Sequence, residues 1–291
     1  MFECVMNISE GRRPEAVAAL AGTCGSALLD VHVDRDHHRS VLTLAGSADG
    51  VSEAAETLAR AAVRRIDLSS HTGVHPRLGA VDVVPFVPLG PEGLDAAGDL
   101  ARRWGERMAA ELAVPVFLYG AADPAGRSLP DVRRSAFRAR QPDFGPAEPH
   151  PTAGAVAVGA RPVLVAVNLE LRAGPGGLQE DLAVARAVAR AVRERDGGLA
   201  GVRALGFPLE SQRRAQVSMN LTDLGATGLE AACEAVRCAA AERGCEVSAV
   251  ELVGLLPAAE LERCSREFLA WTGLSPERTI EARLRAAGSS A

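Results

Sequence analysis

Apolar residues recur in this chain with period 2 in some stretches and period 3.6 in others, and the two periods alternate in the same order twice. In the first half, strands are predicted over residues 2–8, 27–34, 39–46, 81–87 and 114–118, and helices over 14–22, 50–65 and 91–112. In the second half, strands are predicted over 162–171, 201–207, 215–222 and 246–253. Helices are predicted there over 178–195, 227–243 and 257–270. Each half therefore orders as β-α-β-β-α-β, the split βαβ arrangement of ferredoxin-like folds. The expected class is α/β (α+β): two ferredoxin-like βαββαβ-type subdomains, 1–163 and 164–291, with mixed sheets facing a central cleft. Such a cleft is the natural place for a ligand. Residues 119–154 are the least regular stretch, with Gly126, Pro130, Pro142, Gly145, Pro146, Pro149, Pro151 and Gly154, and a loop of this length is usually functional or disordered.

Composition narrows the chemistry. Aromatic residues are 3% of the 291, so the core must be built from Ala, Val and Leu. All 32 basic residues are Arg, which excludes Schiff-base and P-loop lysine chemistry. A net charge of −5 without a basic run disfavours nucleic-acid binding. No apolar run is long enough for a membrane-spanning helix, and the N-terminus lacks the charged and apolar regions of a signal peptide. The six Cys form no CxxC pair, which suggests free thiols in a reducing cytoplasm rather than zinc or redox chemistry.

The densest polar cluster is Ile66-Asp-Leu-Ser-Ser-His71-Thr-Gly-Val-His75-Pro-Arg77-Leu-Gly-Ala-Val-Asp82. Two His four apart suggest zinc only on a helix; Gly73 and Pro76 argue against a helix, so no metal is expected. A His before Pro in a Gly-rich loop suits a fixed imidazole for proton transfer, or a loop His bonded to a carbonyl. Asp34-Arg-Asp-His37-His38-Arg39 reads first as a solvated hairpin loop, and alternatively as an anion site using Arg39. Asn7-Ile-Ser-Glu10-Gly11-Arg12 follows the first strand, a common ligand position and also an ordinary helix entry. Gln216, Ser218 and Asn220 share one strand face, which lines either a polar cleft or a solvated surface.

These stretches resemble the formiminotransferase family. The resemblance is carried by Glu3–Arg12, Asp36-His-His-Arg-Ser-Val41, Ile66–Val83, Val114-Pro-Val-Phe-Leu-Tyr-Gly120, Pro142-Asp-Phe-Gly-Pro146, His150-Pro-Thr-Ala-Gly154 and Ala215–Asp223, in family order. It implies transfer of a formimidoyl group from N-formimidoyl-L-glutamate to N5 of tetrahydrofolate, in histidine degradation, by a cytoplasmic homodimer with a folate tunnel between its subdomains. Alternatives are formyl transfer from N-formylglutamate, or folate binding without turnover. The family's catalytic base falls on His75. Its folate-binding segment falls on Gly145, Pro146, Ala147, Glu148, Pro149, His150, Pro151, Thr152, Ala153 and Gly154. Asp30 or Asp34 would orient the base. Both substrates carry carboxylates, so Arg39 and Arg77 are the first candidates to bind them, with Glu10 and Asn220 as further substrate contacts. Tetrahydrofolate would be a co-substrate, and no metal is needed. The chain departs from the family pattern at Met6, where Pro is common, and at His38, where Asn is usual. The stretch from Ser135 to Pro142 is also shorter than in most members. No cyclodeaminase domain is expected within these residues.

Overall fold

The computed structural model describes residues 1–73, 77–172 and 176–288. The chain divides into two compact units, Met1–Val163 and Leu164–Ala291.

In the first unit the strands are β1 (Phe2–Ile8), β2 (Leu28–Asp34), β3 (Arg39–Gly46), β4 (Val81–Pro88), β5 (Val116–Gly120) and β6 (Val156–Ala160). They form one sheet in the order β2-β3-β1-β4-β6-β5. The first four pair antiparallel, and β6 lies parallel to both β4 and β5. The helices are α1 (Pro14–Ala21), α2 (Ala48–Arg65), α3 (Gly93–Leu112) and α4 (Leu129–Ser135). Alternation along β1 sends Phe2, Cys4, Met6 and Ile8 to one face, where they pack with Leu42, Leu44, Val84 and Phe86. Helices α2 and α3 cover that face with Val51, Ala55, Leu58, Trp104 and Met108. Trp104 is the largest fully buried side chain. The opposite face carries a smaller core of Val83, Phe117, Tyr119, Ala155 and Ala157, closed by Val132 of α4.

The second unit contains β7 (Val165–Leu171), α5 (Leu178–Val192), β8 (Val202–Leu209), β9 (Arg214–Leu221), α6 (Leu229–Ala241) and β10 (Val247–Val253), followed by α7 (Ala258–Glu262), α8 (Arg266–Thr272) and α9 (Ile280–Gly288). Its sheet runs β10-β7-β9-β8. In both units the fourth strand lies beside the first, then come the third and the second. The expected βαββαβ order is thus present twice. The second sheet is wholly antiparallel rather than mixed. Each helix-linked pair of strands is split by a third strand, so no parallel neighbours remain.

Three expectations need adjustment. β6 lies between the irregular stretch 119–154 and the strand expected from residue 162, where no element is expected from the sequence; it is a sheet strand buried along its whole length. Helix α4 interrupts the stretch taken as irregular, and its start carries a capping box between Ser128 and Asp131. The single helix expected over 257–270 is two short ones, with Ser265 capping the second.

Candidate functional site

The site is assembled in the first unit from three loops: residues 9–13 after β1, the turn 35–38 between β2 and β3, and the segment before β4. Ser9 ties the first loop to the third, its Oγ donating to Gly79 O at 2.8 Å and its N–H to Ala80 O at 2.9 Å. Gly11 allows the first loop to meet the turn. A Cβ there would lie 2.2 Å from Asp34 O and 2.5 Å from Arg39 N, inside any tolerable contact.

Glu10 sits at the centre of this junction and is completely buried. Its carboxylate accepts from the N–H groups of Arg12 (2.9 Å) and Arg13 (3.0 Å) and from the Arg13 guanidinium (2.7 Å). Burial works against the charge, but these donors outweigh it and hold the carboxyl at about 2. Glu10 is therefore an anion at neutral pH. It also faces His38 Nε2 at 3.2 Å, while His38 Nδ1 faces Thr72 O at 2.9 Å.

The His38 ring stacks on His71, with centroids 3.6 Å apart and planes 21° from parallel. His71 Nδ1 accepts a hydrogen bond from the Arg77 guanidinium, which also donates to His37 O at 3.2 Å. Burial, and after it the charges of His38 and Arg77, push His71 down to about 4 against an opposing pull from Glu10. With Nδ1 accepting, the neutral ring carries its proton on Nε2. That Nε2 is buried and has no hydrogen-bond partner among the described residues. Burial and Arg39 lower Arg77 as well, with Asp82 raising it and Arg12 lowering it further.

Beside this cluster lies an ionic core. Asp82 is fully buried and accepts from Arg39 Nη1 (2.5 Å), Arg133 Nη2 (2.6 Å) and the Leu78 N–H (2.6 Å). Burial opposes its charge, yet the two guanidinium groups and the Leu78 N–H hold it well below the usual carboxylate range. Arg39 also donates to Asn7 Oδ1 at 3.0 and 2.8 Å. Its guanidinium thus binds the β1, β3 and β4 ends together.

The segment 145–154 reaches the same loops. Gly145 and Gly154 adopt left-handed φ values of 85° and 68°. His150 Nδ1 accepts from the N–H groups of Ala153 (3.0 Å) and Thr152 (3.3 Å), which closes a tight turn. The Leu68 N–H donates to Thr152 O at 2.8 Å and the Ala80 N–H to Ala153 O at 2.9 Å, so this turn is fastened to both ends of the segment that carries His71. Pro146, Ala147, Glu148, Pro149 and Pro151 are exposed along it.

The residues singled out in the sequence fall unevenly. Glu10, His71, Arg77 and the 150–154 turn come together, with Arg39 next to them. His75 lies outside the described residues. Asp34 accepts from the His37 N–H (2.8 Å) and Nδ1 (2.9 Å). The 34–39 turn is not a solvated hairpin: His37 and His38 are both buried, and His38 sits at a left-handed φ of 50° that turns its ring onto His71. In the second unit Gln216 is buried, Ser218 half-buried and Asn220 exposed on β9. Sequence reasoning missed the His38–His71 stack and the Arg133–Asp82 pair, whose partners are far apart in the chain. Among the described residues no group of three or more His, Cys, Asp or Glu is placed to hold a metal ion, and no helix is long and apolar enough to cross a membrane.

Comparison with known proteins identifies the family. Residues 1–161 match the formiminotransferase domain, N-terminal subdomain, and residues 167–282 match the formiminotransferase domain. A glutamate formimidoyltransferase of Thermoplasma acidophilum is 35% identical, with 99% of each chain covered. One from Streptococcus pyogenes is 36% identical over 92% of this chain and 93% of the relative. The formimidoyltransferase-cyclodeaminase of Sus scrofa is 39% identical over 88% of this chain and 50% of its own length. With both units matched and full-length relatives at this identity, the chain belongs to the formiminotransferase domain family of transferase enzymes.

Proposed function

We propose that this enzyme moves the formimidoyl group from N-formimidoyl-L-glutamate to N5 of tetrahydrofolate and releases L-glutamate. The observation that carries the reading is the match over residues 1–161 and 167–282, together with near full-length likeness to relatives named glutamate formimidoyltransferase. We take 1–163 and 164–291 as its N-terminal and C-terminal subdomains. As the family resemblance implies, it acts as a homodimer in the cytoplasm.

Tetrahydrofolate, as co-substrate, supplies the N5 amine that receives the group. The 145–154 segment is suited to hold it: three exposed prolines stiffen a rim whose turn is closed by His150 and fastened beside His71. His75 takes the proton from the attacking amine and returns it to the glutamate nitrogen as the bond from that nitrogen to the transferred carbon breaks. General acid-base help of this kind is worth about 10²–10⁴-fold. Buried, anionic Glu10 gives the loop a fixed negative charge, a favourable neighbour for a cationic amidine. Arg77 fixes the His71 ring. Arg39 organises the strand ends. Asn220, exposed on β9, is taken as a further substrate contact.

The test is a spectrophotometric assay with tetrahydrofolate and N-formimidoyl-L-glutamate, run on the wild type and His75→Ala. Wild-type turnover that drops about 10²–10⁴-fold in the variant, with tetrahydrofolate affinity unchanged, is the expected result. Full turnover in the variant would remove the base role, and turnover only with N-formylglutamate would replace the donor.

A further inference from the structure

We infer that Arg12 is a carboxylate-binding residue of this site, a role that rests on the reaction proposed above for the identity of the natural ligand. Its backbone N–H is held by Glu10, but its side chain turns away from that carboxylate. Nε donates to Arg35 O at 3.2 Å and Nη1 to Thr72 Oγ1 at 3.4 Å. The guanidinium therefore bridges all three loops of the site while bonding only to neutral acceptors. Nη2 has no partner among the described residues, and no carboxylate there pairs with Arg12.

Its surroundings offer the guanidinium no carboxylate partner among the described residues. The two carboxylates at the centre of the site are already committed: Glu10 to Arg13, to two backbone N–H groups and to His38, and Asp82 to Arg39 and Arg133. Arg12 lies close enough to His71 and Arg77 for its charge to disfavour protonation of both. By contrast, Arg60 reaches Glu111 and Arg107 reaches Glu56, each ending on a carboxylate. A pre-positioned, exposed guanidinium with a free donor edge, set among other cations, matches a ligand carboxylate. Two substrates of the proposed reaction carry one: the donor, and the glutamyl tail of tetrahydrofolate.

The experiment has two parts. The first uses glutarate as probe, titrated calorimetrically into the wild type, Arg12→Met and Arg12→Lys, with the neutral glutaramide as control. Glutarate binding that is weakened about tenfold or more in Arg12→Met and partly restored in Arg12→Lys, with no glutaramide binding, is expected. Equal glutarate affinity in wild type and Arg12→Met, or no glutarate binding by the wild type, overturns the assignment. This part needs no turnover, so it decides the role of Arg12 even if the proposed reaction fails. The second part locates the carboxylate through KM, with kcat little changed. A rise in donor KM in Arg12→Met that disappears with N-formimidoylglutamine assigns the donor γ-carboxylate, and one that persists with it assigns the α-carboxylate. A rise in tetrahydrofolate KM that disappears with the N-methylamide of tetrahydropteroic acid, which carries no carboxylate, assigns the tail. A kcat loss with both KM values unchanged overturns carboxylate binding.

Discussion

The two units share one strand order and differ in what their polar residues do. In the second unit, helices α5 and α6 cover one face of the sheet, and the polar side chains lie along the other as single pairs between neighbouring strands, Asn168 with Glu251 and Arg214 with Glu170. In the first unit, α4 adds a second small core on the opposite face. The polar residues there are drawn to the loop ends, where one buried aspartate joins three segments through Arg39, Arg133 and the Leu78 N–H. The same scaffold thus supports an ordinary polar sheet face in one copy and a cross-linked loop cluster in the other. The chemistry belongs to what is attached to the ends of the strands, not to the strand order.

The contrast is broken most sharply at Asp82. Asp82→Ala leaves the Arg39 and Arg133 guanidinium groups facing each other around a fully buried vacancy. A loss of about 3–5 kcal/mol is expected in urea unfolding, since removing one partner of a buried ion pair strands the other. A loss under about 1 kcal/mol would mean that the ionic core is not what joins the loops.

A pH effect comes next. The folded protein holds His71 at about 4, below its ordinary 6.5, so the unfolded chain binds a proton there before the folded one does. Stability from this group is therefore complete above pH 6.5 and is lost as pH falls toward 4. The urea midpoint should fall across that window in the wild type and fall less in His71→Asn. Identical slopes would show that the imidazole is not held neutral by its neighbours.

The smallest effect belongs to the second unit. Asn168→Ala removes a single 3.0 Å bond to Glu251 and should cost about 1 kcal/mol. A cost equal to that of Asp82→Ala would erase the distinction between the units.

Much of the fold was legible from periodicity, because each βαββαβ repeat buries one face of every strand and one stripe of every helix. β6 escaped because its Val-Ala-Val-Gly-Ala run is buried on both faces and shows no alternation. Helix α4 is barely two turns long, too short for a period, although Ser128 and Asp131 with Pro130 carried a start signal. At the site, the motif residues marked the right loops but not their connections. His38 looked like part of a solvated turn, since nothing local reveals that Thr72, 34 residues on, supplies a carbonyl to its Nδ1. Arg39 looked like a free anion binder, since Asp82 reaches it only once β1, β3 and β4 are paired. Arg12 appears in the sequence only as part of the loop after the first strand, because its contacts with Arg35 O and Thr72 Oγ1 exist only once the three loops meet.

The stacked imidazoles of His38 and His71 have a spectroscopic consequence. At 3.6 Å and near-parallel, each ring lies in the shielding region of the other's ring current. Their carbon-bound protons must resonate upfield of ordinary histidine signals and move back when the rings part. A chain with six histidines and ten other aromatic residues is sparse enough for those lines to stand alone. The loop cluster therefore carries its own reporter in a proton spectrum, readable without any attached label.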